Sequence, residues 1–60
     1  MANLTHIFRI GQTVKVKLDG KLYIGTVTQT DTNHIIVNID GMNLWFENGF
    51  NIDKVYPAYN

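Results

Sequence analysis

Cysteine and serine are both missing from this 60-residue chain, and proline occurs once. Without cysteine there is no disulfide framework and no thiolate metal site, so the core alone must hold the fold. The loss of thiol and serine hydroxyl together removes the commonest catalytic nucleophiles. No apolar run approaches the ~20 residues that a membrane-spanning helix needs. Met1 to Arg9 has neither the basic start nor the apolar core of a signal peptide, so the expected location is the cytoplasm, with no membrane partner. An excess of either charge sign is missing too: five Lys and Arg against five Asp and Glu give a formal net charge of zero. A dedicated duplex-DNA or ribosomal-RNA binder depends on phosphate contacts and carries a clear basic excess.

What the chain does have is alternation. At 45% hydrophobic and 17% charged it has the composition of a globular domain rather than a disordered one. Val14, Val16 and Leu18 alternate with Lys15 and Lys17, the period-two pattern of a half-buried strand. Asp19-Gly20 supplies the two positive-φ residues of a type I′ hairpin turn. A two-residue loop there sets Lys17 opposite Leu22, Val16 opposite Tyr23, Lys15 opposite Ile24 and Val14 opposite Gly25.

The next connection is expected to be a three-residue loop, Asp31-Thr32-Asn33, with Asn33 left-handed; it sets Val27 opposite Val37. Asp40-Gly41 repeats the type I′ signal and sets Val37 opposite Leu44, Ile36 opposite Trp45 and Ile35 opposite Phe46. Val14, Val16, Tyr23, Val27, Ile35, Val37, Ile39, Leu44 and Phe46 then share one inner face. Further on, Asn48-Gly49 marks a turn, Phe50 to Lys54 can hold one 3₁₀ turn, and Val55-Tyr56 make a last strand that Pro57 ends. The expectation is an all-β chain: one five-stranded antiparallel barrel over residues 11–57, closed by an N-terminal segment at 1–10, with a tail at 58–60. Five short strands in sixty residues bury one face only by curling.

Ile10-Gly11-Gln12-Thr13-Val14-Lys15-Val16, Asp19-Gly20-Lys21, Ile24-Gly25-Thr26-Val27 and Val37-Asn38-Ile39-Asp40-Gly41 together resemble a KOW motif. Asp19 to Val27 is equally similar to the first hairpin of Tudor and related SH3-like barrels, and the likeness covers about half the chain. The resemblance implies an SH3-like barrel. In its KOW branch it implies RNA or ribosome-associated partners, with Lys15, Lys17 and Lys21 in the basic region. In its Tudor branch it implies an aromatic cage, with Tyr23, Trp45 and Phe46 at comparable places. Barrels of this kind carry many unrelated sites, so fold alone does not assign function.

The residues out of phase with the core point to a site. Leu22, Ile24, Ile36 and Trp45 are apolar yet face outward, and Thr28, Ile36 and Trp45 are expected in one row. A contiguous exposed apolar patch marks an interaction surface, and Trp is enriched among binding hot spots. The bland alternative covers this face with Leu4, Ile7, Phe8 or Tyr59 as a second small core. The leading expectation is a non-catalytic module that binds a protein partner, or a second copy of itself, around Trp45, Ile36, Ile24 and Leu22. The runner-up is an RNA or single-stranded DNA binder using Lys15, Lys17, Lys21 and Arg9 on phosphates, with Tyr23 or Trp45 stacking on bases. His6 and His34 read as surface histidines, and the carboxylates read as turn formers. No metal, cofactor or catalytic residue is assigned.

Overall fold

The computed structural model describes residues 4–57. A single helical turn, α1 (Leu4–Ile7), precedes β1 (Thr13–Leu18), β2 (Lys21–Thr30), β3 (His34–Ile39) and β4 (Met42–Glu47). A lone 3₁₀ turn at Ile52–Lys54 leads into β5 (Val55–Pro57). All five strands are antiparallel in one sheet of order β4-β3-β2-β1-β5. The expected tail at 58–60, with Tyr59, lies outside the described residues.

The two Asp-Gly turns form as their sequences require. Asp19 and Gly20 have φ of 50° and 79°, Asp40 and Gly41 have 51° and 83°, and the strands they join keep the expected pairing. The middle connection differs. Asp31 N donates to His34 O at 2.8 Å, which leaves a two-residue loop, Thr32-Asn33, and Asn33 is not left-handed. That loop pairs Thr30 with Ile35 and Gln29 with Ile36, one step out of phase with the Val27–Val37 pair. A β-bulge at Thr28 absorbs the step and returns the apolar residues to the inner face. Gln29 rather than Thr28 therefore sits opposite Ile36, while Thr28 Oγ1 donates to Ile36 O at 3.3 Å.

The sheet is not closed into a barrel, contrary to the expectation. β5 is three residues long and pairs with β1 alone. The outer edge of β4 is instead bonded by the turn that follows it: Asn51 Nδ2 donates to Trp45 O (3.0 Å) and Glu47 N donates to Asn51 Oδ1 (2.8 Å). Glu47 O accepts from both Phe50 N and Asn51 N at 3.2 Å. Three polar groups of that edge are thereby taken up, and a closing strand would have to displace this turn to reach them.

The described part of the N-terminal segment folds as a helical turn against the core. Leu4 and Phe8 lie four apart, so one helical turn brings both to one side, and both are buried. Leu4 N donates to Thr32 O at 3.1 Å and tethers this plug to the β2–β3 loop. The core is Leu4, Phe8, Val14, Val16, Val27, Ile35, Val37, Ile39, Phe46 and Val55. Leu44 only half joins it, and Tyr23, expected inside, is 37% exposed. Tyr23 lies beyond Thr26, the last β2 residue paired with β3, so no third strand covers its ring. Gly25 marks a tight point of the inner face. A Cβ there would stand 2.6 Å from Val37 Cγ1, 2.8 Å from Ile39 Cγ1 and 2.9 Å from Asn38 O.

Candidate binding surface

On the outer face of β1, residues 15 and 17 project between two apolar flanks. Lys15 is paired with Ile24 of β2 on one side and Tyr56 of β5 on the other, and Lys17 is paired with Leu22. Leu22, Ile24 and Tyr56 are 63%, 70% and 47% exposed. Lys15, Lys17, Gly20, Leu22 and Tyr56 line an open groove of about 430 Å³. Among the described residues, no lysine or arginine is in ion-pair contact with a carboxylate; His34 Nδ1 lies 3.9 Å from Asp31 Oδ2. The groove is thus basic and apolar together.

A second cluster lies on the outer face of β3 and β4. Trp45 is 52% exposed, and its indole stacks on the His34 imidazole with ring centres 3.9 Å apart and planes 7° from parallel. Trp45 Nε1 donates to Glu47 Oε1 at 3.1 Å. His34 and Glu47 are direct cross-strand partners, two pairs along from Ile36 and Trp45 and on the same face. One indole face is occupied and its N–H is satisfied, so the ring is held in place although solvent reaches it.

The four apolar residues expected to form one patch therefore fall into two groups. Asn43, Asn38, Thr26 and Thr13 make a polar row across four strands between them, stitched by Asn38 Nδ2 donating to Asn43 Oδ1 at 3.1 Å. Ile24 and the row of Ile36 are separated by four to five residues along β2, about 14 Å. Trp45 with Ile36 forms one group, and Leu22 with Ile24 the other. The three-lysine cluster is likewise divided: Lys21 is paired with Leu18 and alternates to the face opposite Lys15 and Lys17. Nor do Tyr23, Trp45 and Phe46 build a cage, since Phe46 is buried and Trp45 leaves the opposite face of the same strand. Leu4 and Phe8 cap the core and so do not cover the outer face.

Two contributors were not singled out as site residues from sequence. His34 reads from sequence as a surface histidine, although the Asp40-Gly41 register already sets it beside Trp45 and opposite Glu47. Tyr56 could not be placed, because the irregular stretch between β4 and β5 carries no register information. No helix among the described residues is long and apolar enough to cross a membrane, and no three His, Asp or Glu side chains there gather as a metal-binding set. No protein-family model, no curated protein and no solved structure matches this chain.

Proposed function

We propose that this chain is a non-catalytic, cytoplasmic interaction module of the SH3-like kind that docks a protein partner on the outer face of β1, β2 and β5. The strand order and the lone 3₁₀ turn before β5 support the SH3-like relation. One observation carries the function: Leu22, Ile24 and Tyr56 stand in solvent although the inner core is complete without them. Apolar area withdrawn from water is worth ~25 cal/mol per Å², so three such side chains supply several kcal/mol before the costs of association. Lys15 and Lys17 between them select a partner segment that joins apolar side chains to carboxylates.

The test compares capture from a nuclease-treated cell lysate by the wild-type chain, by Leu22→Asp with Ile24→Asp, and by Ile10→Ser as a control outside the groove. Proteins retained by the wild type and the control, and lost with the double variant at unchanged thermal stability, support the reading. An identical captured set with all three chains overturns it. The nucleic-acid reading is favoured by one observation, the placement of two lysines beside Tyr56. Two lysines on the phosphates of a single strand give a log–log salt slope of only about −1.4, which is shallow for a module built on phosphate contacts. A much steeper slope in RNA titrations would move that reading to the front.

A further inference from the structure

We infer that the partner of this face is a second copy of the same chain, joined head to tail: the Trp45 cluster of one copy seats in the Lys15–Lys17 groove of the next. This rests on the outer face being a protein-docking surface, and it names the occupant. The two surfaces are complementary in charge, and both carry apolar side chains. The groove has two lysines without carboxylate partners beside Leu22 and Tyr56. The Trp45 cluster offers an indole flanked by Glu47, with Asp31 two-thirds exposed behind His34. His34 stacks on one indole face, and the ring, still 52% exposed, presents aromatic surface to which a lysine ammonium is attracted.

Preorganisation and charge agree with this pairing. The indole is held by stacking and a hydrogen bond before any partner arrives, so little side-chain freedom is lost on docking. A net charge of zero imposes no long-range repulsion between copies, while the segregation of lysines from Glu47 and Asp31 supplies attraction where the surfaces meet. The cluster is on β3 and β4, the groove on β1, β2 and β5, and the polar Asn43–Thr13 row separates them. A chain that uses its groove thus keeps its indole free, and assembly proceeds beyond the dimer unless a ring closes.

Sedimentation of the full chain over a wide concentration range tests this directly. Wild type is expected to gain mass with concentration past the dimer and to lose it as salt is raised. Trp45→Ala removes the knob, and Lys15→Glu with Lys17→Glu removes the socket; each alone should be monomeric, with self-association weakened by about 30-fold or more, as loss of a hot-spot anchor does. Mixed together, they should form a one-to-one pair that grows no further, because one intact knob meets one intact socket. Glu47→Lys keeps the indole; it too should be monomeric alone and should pair when mixed with Lys17→Glu. Wild type that stays monomeric at every concentration, or mixtures that never pair, overturn the inference. Monomeric wild type that still captures lysate proteins through Leu22 and Ile24 would refute the second copy alone and leave the docking face standing.

Discussion

β1 and β2 carry two faces built on opposite terms. Inward, Val14, Val16 and Val27 are fully shielded, and what the strands leave open is finished by Leu4, Phe8 and Val55 from the chain ends. Outward, the same strands present Lys15, Lys17, Leu22 and Ile24, and no described segment lies over them. The difference teaches that the side chains that hold the fold and the apolar side chains left in solvent are separate sets here. In so small a domain, where little core is available, apolar residues kept out of the core cost potential stability and call for another use. Substitutions on the two faces should therefore have unlike effects.

The largest effect is expected from breaking the inner face at its centre. Ile35→Ala leaves a cavity among Val27, Val37 and Phe46 and should cost about 2–5 kcal/mol. A sixty-residue domain has roughly 3–9 kcal/mol in total at ~0.05–0.15 kcal/mol per residue. Urea denaturation should accordingly show a midpoint well below that of wild type, or a chain already largely unfolded at 25 °C; a midpoint near that of wild type would mean that this face is not the core. Gly25→Ala comes next. Its methyl is too close to Val37, Ile39 and the Asn38 carbonyl at once, the first two buried side chains, and overpacking of this kind costs about 1–3 kcal/mol. A lowered denaturation midpoint with unchanged slope is the expected reading, and an unshifted midpoint would show that β2 and β3 can part there freely.

How far this contrast could be read from sequence depended on whether each join between strands has a local conformational demand. Asp19-Gly20 and Asp40-Gly41 do, and the pairings around them follow from the turn type alone. The exposure of Leu22, Ile24 and Trp45 follows from the same two turns. The Asp31–His34 connection has no such demand. There a two-residue loop and the inward pull on Val27, Ile35 and Val37 are out of step, and a bulge at Thr28 reconciles them. The pairing of Val27 with Val37 was legible from the apolar pattern, but the device that achieves it was not. Open rather than closed architecture was hidden for a similar reason: it depends on the Asn51 side chain reaching the β4 edge, a contact set by an irregular turn. Placing Tyr56 beside Lys15 depends on that same turn, so half of the groove could be read and half could not.

The smallest effect on stability, and the sharpest form of the contrast, is expected at Ile24. Threonine keeps the β-branch, and with it the strand preference of this position, while it removes most of the apolar surface. Because Ile24 is largely exposed and paired with the stem of Lys15, Ile24→Thr should change unfolding free energy by no more than about 0.5 kcal/mol. The same substitution should weaken association measured by sedimentation. A loss of stability comparable with that of Gly25→Ala would place Ile24 among the residues that hold the fold, and the separation of the two faces would fail. Preserved stability with weakened association is the outcome that only a surface kept apolar for contact explains, since the folded chain alone gains almost nothing from an isoleucine left in water.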